Sequence, residues 1–86
     1  MHRKLPPLTL HRMYEDDIRY IWDGFRTTEF SAAQISEGVP YRNIRKIISR
    51  GYVIKTKTVT ESGQRHNVYR VSDRMKACCM ERFDDI

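Results

Sequence analysis

The residues best suited to binding chemistry in this sequence are the cations that follow Gly38. Residues 41–70 contain eight lysines and arginines and one acid, so this third of the chain carries a charge of +7. The remaining residues contain eight cations and ten acids and carry −2. Guanidinium and ammonium groups pair with phosphates and carboxylates. Positive charge concentrated in one segment indicates a polyanionic partner more strongly than a uniformly basic chain would.

The segment 40–50, PYRNIRKIISR, holds the densest part of this charge. At about 100° per residue, its three isoleucines fall on one arc of a helical wheel and its cations fall on the opposite arc. The segment contains no acid, and Arg42 and Lys46 are like charges four residues apart, which repel each other in an isolated helix. Phosphates lying against this arc would relieve the repulsion. The alternative is a solvated helix of an unrelated small domain.

Other kinds of chemistry are not supported by the spacing of reactive residues. Cys78 and Cys79 are adjacent, which rarely allows a disulfide, and we expect both to be reduced thiols. The histidines (His2, His11 and His66) are scattered, so no metal site is predicted. No phosphate loop and no pairing of a nucleophile with a base is recognisable. We therefore expect no enzymatic activity and no cofactor.

Helices and turns must position the basic segment. An apolar stripe at helical spacing predicts a first helix from Leu10 to Gly24, with Gly24 as its stop. RTTEF (26–30) predicts a short strand. Ser31 is the predicted N-cap of a brief helix that Gly38 ends in a left-handed conformation. The stripe that we expect in the core comprises Leu10, Tyr14, Ile18, Ile21, Trp22 and Phe25.

The second half of the chain changes from a helical to a β period. Pro40 is predicted as the first residue of the third helix and Gly51 as its cap. YVIKTKTVT and HNVYRVS are rich in β-branched and aromatic residues, and the glycine-bearing ESGQR lies between them, so a β-hairpin is predicted. A fourth short helix, 73–83, follows a cap at Ser72 or Asp73. Its apolar stripe is Met75, Cys78, Cys79 and Phe83.

The run FSAAQISEGVPYRNIRKIISRGYVIK, followed by TKTVTESGQRHNVYRVS, resembles the winged helix-turn-helix superfamily of DNA-binding domains. The resemblance covers roughly Leu10 to Ser72. It implies a small α+β fold with a three-helix core, a β-hairpin wing and a short C-terminal helix. Residues 1–9 would be a flexible arm, 10–72 the winged helix-turn-helix domain and 73–86 a C-terminal helix. By resemblance, 32–37 match the supporting helix, 40–50 the recognition helix and 55–70 the wing.

The resemblance also implies roles for individual side chains. Residues near the start of a recognition helix reach base edges, where Arg suits guanine and Asn suits adenine. Base contacts are therefore predicted for Arg42, Asn43 and Lys46. Phosphate contacts are predicted for Tyr41, Arg45, Ser49 and Arg50. In the wing, Lys55, Lys57, Gln64, Arg65 and His66 are predicted to contact the backbone or the minor groove.

The expected function is sequence-specific binding of double-stranded DNA by a small transcriptional regulator of a bacterium, phage or plasmid. No apolar run approaches the roughly 20 residues of a membrane span, and the N-terminus does not read as a secretory signal, so a cytoplasmic or nucleoid location is expected. Two alternatives stay open: a winged-helix adaptor that docks on a protein, and a DNA-bending accessory factor for recombination. The last helix either folds back on the first or forms a homodimer through residues 73–83, which would contact a two-fold DNA site.

Overall fold

The first helix follows from the apolar stripe that begins at Leu10. In the computed structural model, which describes residues 8–84, a 3-10 turn at Arg12–Tyr14 leads directly into helix α1 at Glu15–Phe25. His11 begins the turn, because its Nδ1 accepts a hydrogen bond from the backbone N–H of Met13 at 3.1 Å. The buried side chains of this segment are those of Leu10, Tyr14, Asp17, Ile18, Ile21 and Trp22. Phe25 is half-buried against the same core.

Helix α1 ends at Phe25, one residue after the predicted stop at Gly24. The helix continues through Gly24, and Arg26, with a φ of 49°, turns the chain away from the helix axis. Asp84 holds Arg26 in place: its carboxylate accepts from Arg26 Nη1 at 2.6 Å and from Trp22 Nε1 at 2.9 Å. The hydrogen bond from Arg26, followed by that from Trp22, lowers the pKa of the Asp84 carboxyl. A side chain more than fifty positions away therefore contacts both Trp22 and Arg26 at the end of α1.

A reciprocal pair of hydrogen bonds begins the second helix. Strand β1 is only Phe30–Ser31, and α2 is only Ala32–Ile35. Ser31 is the N-cap, as predicted: its hydroxyl accepts from the Gln34 backbone N–H at 3.3 Å, and Gln34 Oε1 accepts from the Ser31 N–H at 2.8 Å. This capping box satisfies two backbone donors at the helix start.

Gly38 is needed for close packing and not for a left-handed conformation, so that prediction is wrong. Positive φ angles among residues 8–84 occur elsewhere, at Arg26, Gly51, Ser62 and Gly63. An alanine Cβ at position 38 would lie 2.3 Å from the ring of Tyr20 on α1. The backbone N–H groups of Gly38 and Val39 donate to the carbonyl of Ile35 at 3.1 and 2.9 Å. The missing side chain thus allows α1 to lie directly against the turn after α2.

The third helix and the hairpin lie close to their predicted positions. Helix α3 is Tyr41–Ser49, one residue later than predicted because Pro40 is its N-cap, and Gly51 (φ 79°) follows its end as predicted. Strands β2 (Val53–Glu61) and β3 (Gln64–Val71) are joined by Ser62 and Gly63. Both linking residues have positive φ, as a type I′ turn requires. The antiparallel sheet has the order β1-β3-β2 and a register shift between Lys55 and Lys57, so Thr56 bulges from β2.

The fourth helix belongs to the same core as the rest of the chain. Helix α4 is Asp73–Phe83, with Ser72 at the N-cap position. Met75 and Cys79 are fully buried, and Cys78 and Phe83 are half-buried against the core. The stripe therefore folds back within the chain, which was one of its two predicted fates. The homodimer through residues 73–83 stays a prediction, and its contacts would have to come from the exposed face of α4.

The predicted arm is described only at its end. Leu8 donates its N–H to the carbonyl of Arg74 at 3.2 Å, and the carbonyl of Thr9 accepts from the Tyr52 hydroxyl at 2.9 Å. Residues 1–7 lie outside the described part of the chain. Among residues 8–84, no helix has the length and apolar character that crossing a membrane requires.

The contact between Gly38 and Tyr20 gives a test of the packing. We expect Gly38→Ala to lower the free energy of unfolding by about 1–3 kcal/mol, because the ring of Tyr20 must move. Gly24→Ala is the matched control: no atom lies within 4 Å of its added Cβ, and alanine should stabilise α1 by about 0.5–1 kcal/mol. Urea denaturation measures both. In a Tyr20→Ala background, Gly38→Ala should no longer lower the free energy of unfolding. If it still does so in that background, the steric explanation is contradicted.

Candidate nucleic-acid interface

Helix α3 has one buried face and one exposed, positively charged face. Its isoleucines at 44 and 47 are buried and the one at 48 is half-buried. The opposite side forms a surface depression that we call the basic face, lined by Tyr41, Arg42, Arg45, Lys46 and Ser49. Within the basic face, the hydroxyl of Ser49 donates a hydrogen bond to the backbone carbonyl of Lys46 at 3.2 Å. The structure thus brings together five of the seven residues predicted for the recognition helix.

The cations of the basic face lack acidic partners, unlike many cations elsewhere in the molecule. Within residues 8–84, no carboxylate forms an ion pair with Arg42, Arg45 or Lys46. Five other cations do have carboxylate partners: Arg19 with Asp23, Arg26 with Asp84, Lys57 with Glu29, Arg70 with Asp73, and Arg82 with Glu15. The fold therefore leaves the positive charge of α3 available to an external anion.

Asn43 faces the protein and not the basic face, which changes its expected role. Its Nδ2 donates to Oδ2 of Asp17 on α1 at 2.8 Å, and the side chain of Asn43 is half-buried. Asp17 is 8% exposed. A buried carboxylate needs a hydrogen-bond donor, since leaving it without one is costly. The pair fixes the first turn of α3 on α1, so Asn43 positions the helix.

The sequence contains a signal for Asp17, although Asp17 was not among the predicted site residues. Asp17 is three residues after Tyr14 and four before Ile21, which places it on the apolar face of α1. An acid on an apolar face requires a partner inside the fold, and a short amide donor on a neighbouring helix meets that need.

Arg50 also makes a contact within the protein. Its guanidinium carbon lies 5.0 Å from the centre of the Tyr14 ring, a cation–π geometry. The ring of Tyr14 in turn meets that of Tyr52 edge-on, with centroids 6.2 Å apart. Arg50 is exposed but does not line the depression of the basic face. Its charge therefore lies beside the cations of α3 and not among them.

The predicted binding residues of the hairpin lie at different points along its two strands, from the base to the turn. Lys55 lies at the base, and Gln64 and Arg65 lie at the tip, opposite Glu61 and Thr60. Arg65 and His66 line a second depression together with Ser31, Ala32 and Ala33. Within residues 8–84, Lys55 and Arg65 form no ion pair. These two cations, with those of the basic face, supply unpaired positive charge.

Lys57 differs from the other wing cations because Glu29 stands beside it. Glu29 Oε1 lies 3.5 Å from Lys57 Nζ, and the other carboxylate oxygen accepts a hydrogen bond from the hydroxyl of Thr56. That hydrogen bond, with a smaller contribution from the charge of Lys57, lowers the pKa of the Glu29 carboxyl. Glu29 is therefore ionised at neutral pH and offsets the charge of Lys57.

Two observations concern the thiols and histidines of the described residues. Cys79 is fully buried, and this burial raises the pKa of its thiol to about 12, so the group stays protonated. Within residues 8–84, no three His, Cys, Asp or Glu side chains meet in a way that could hold a metal ion.

Comparisons of this chain with protein-family models, with curated proteins and with solved structures find no match. The functional interpretation therefore rests on the geometry and charge of the interface.

The contact between Asn43 and Asp17 can be tested by thermodynamic coupling. Asn43→Ala should lower the free energy of unfolding by about 1–3 kcal/mol, because it leaves a buried carboxylate without its donor. The double variant Asp17→Ala/Asn43→Ala should lose less unfolding free energy than the two single variants together. The difference, which is the coupling energy of the pair, should be about 0.5–3 kcal/mol. Ser49→Ala, an exposed change on the same helix, should stay within about 0.5 kcal/mol. If denaturant titrations show that the two losses in unfolding free energy simply add, the two side chains do not stabilise each other.

Proposed function

We propose that this chain binds double-stranded DNA as a small winged helix-turn-helix protein. The observation that carries the proposal is that Arg42, Arg45 and Lys46 lie together on the exposed side of α3, with no carboxylate partner among residues 8–84. A partner with regularly spaced anionic groups would satisfy this face, and the phosphates of duplex DNA meet that description. The α+β fold, with four helices and a three-stranded antiparallel sheet, is compatible with a winged helix.

The dimensions of α3 support insertion into the major groove. Nine residues make a helix about 14 Å long, and a helix with side chains is about 10–12 Å in diameter. The major groove is about 12 Å wide and accepts an α-helix. The isoleucines hold the inner side of α3 on the core, so its outer side is free to enter the groove.

The side chains then have distinct roles. Arg42 and Lys46 contact base edges, while Tyr41, Arg45 and Ser49 contact phosphates. In the hairpin, Lys55 and Arg65 extend the phosphate contacts, with Gln64 and His66 beside the tip. Asn43 positions α3, and Arg50 contributes charge from outside the depression. The protein would act as a transcriptional regulator by occupying its site, in the cytoplasm or on the nucleoid.

A second candidate is a protein-docking adaptor. Tyr41 is 65% exposed at the start of α3, and an exposed aromatic ring is a common anchor in protein interfaces. The cations around Tyr41 would then require an acidic partner surface. The charge of the basic face without any carboxylate favours DNA over this alternative.

Salt dependence tests the main proposal. We expect micromolar binding to random-sequence duplex DNA at low salt, with affinity that falls steeply as salt is added, measured by fluorescence anisotropy. Arg45→Ala/Arg65→Ala should reduce the slope of log affinity against log salt by about 1.8, because two cations assigned to phosphates are lost. Arg12→Ala/Lys76→Ala removes the same charge elsewhere and should leave the slope unchanged. An absence of binding at low salt would favour the adaptor.

Glu29 provides a separate test of the wing. Glu29→Gln should release Lys57 and increase the salt slope by about one, because one more cation becomes available to phosphate. Lys57→Ala should have little effect on its own and should cancel the gain when combined with Glu29→Gln. Asp23→Asn, which removes one exposed negative charge from α1, is the control. If Lys57→Ala alone lowers the slope by about one, Glu29 does not neutralise Lys57 in the complex.

A further inference from the structure

The geometry of the basic face points to a target site with two or three adjacent guanines on one strand. This inference rests on the proposed DNA binding and specifies which base pairs α3 would select. It follows from an asymmetry in the hydrogen-bonding groups of α3. The cations of the basic face are donors, and α3 contains no Asp, Glu or Gln.

The one amide of α3 is already engaged. Asn43 would be the natural partner of adenine, because its side chain offers a donor and an acceptor together. Its Nδ2, however, donates to the buried carboxylate of Asp17, and the half-buried side chain is turned toward α1. The two groups that adenine requires are therefore not presented at the basic face.

The hydroxyls of the basic face do not replace a carboxylate or an amide. Ser49 donates to the carbonyl of Lys46 at 3.2 Å, in the last turn of the helix. Tyr41 is at the first position of α3 and carries its hydroxyl at the end of a long exposed ring. Arg42, Arg45 and Lys46 line the area between these two residues.

The four bases present different groups to a donor-only surface. In the major groove, guanine shows two acceptors, N7 and O6, whereas adenine shows one acceptor and one amino donor. Cytosine shows an amino donor, and thymine shows one acceptor and a methyl group. Two adjacent donors of an arginine thus pair fully with guanine, while an amino group opposite them would leave donors facing donors.

The spacing of the cations determines the length of the preferred run. Arg42 and Lys46, the two cations assigned to base edges, are four residues apart, about 6 Å along the helix axis. Successive base pairs are about 3.4 Å apart. If α3 lies along the groove, its cations span about two base-pair steps, which corresponds to two or three neighbouring guanines.

The experiment is selection of bound duplexes from a random-sequence pool by the wild-type protein, followed by sequencing. We expect a run of at least two guanines on one strand. Replacing the selected guanines by 7-deazaguanine, which lacks the N7 acceptor, should weaken binding about tenfold. The same replacement outside the run is the control and should have no effect.

Two variants separate base contacts from positioning. Arg42→Ala should lose the preference at one position of the run while the remaining positions are still selected. Asn43→Ala, assayed below its unfolding transition, should select the same sequence as the wild type, because its amide is not a base contact. Loss of an adenine preference in Asn43→Ala would contradict the inference.

The outcomes distinguish this inference from the proposed function. Binding with selection of A·T-rich or adenine-centred sites would overturn the guanine preference and leave DNA binding intact. Binding without any selected sequence would also overturn it, since the cations would then contact phosphates alone. A failure to bind any duplex at low salt would reject the proposed function, and this inference with it.

Discussion

The position of α3 on α1 is the constraint on which the candidate interface depends. Two contacts establish it: the ring of Tyr20 lies where a side chain at Gly38 would be, and Asn43 donates to the buried Asp17. The first brings the turn before α3 against α1, and the second joins the first turn of α3 to α1. Burial of Ile44 and Ile47 orients α3 about its axis, so the cations face outward. A slip of one residue would rotate the helix by about 100° and bring charge into the core.

The cost of leaving α3 without carboxylates is small, which explains how the fold tolerates it. An exposed ion pair contributes about 0–1 kcal/mol, so the absence of partners for three cations removes little stability. The like-charge repulsion between Arg42 and Lys46 is of similar size. Burial of the isoleucines outweighs both, since each buried aliphatic side chain contributes about 1.5–3 kcal/mol. The domain can therefore keep three exposed cations without carboxylate partners at little cost in stability.

The elements of this fold were predictable where local patterns determine them, and the errors occur where distant residues do. The capping box at Ser31, the glycine after α3 and the hairpin are encoded by neighbouring residues. In contrast, Arg26 ends α1 while bound to Asp84, and Gly38 makes room for a ring on another helix. The site shows the same division. The basic face follows from helical spacing. The role of Asn43, in contrast, depends on its hydrogen bond to Asp17, and the charge of Lys57 is offset by its ion pair with Glu29.

The inward stripe of α4 limits how this domain could achieve specificity. Because Met75 and Cys79 belong to the core, a second copy cannot use them without opening the fold. In the proposed complex, a single α3 would span few base pairs, and each mismatched pair costs about 1–3 kcal/mol, so one domain would discriminate a short site only modestly. Greater specificity would require a second DNA-binding unit beside the first. Its contact would have to involve exposed residues such as Met80 on α4 or Met13 before α1, which are 49% and 67% exposed. In the proposed complex with DNA, any extension of the site therefore has to come from surfaces away from α3.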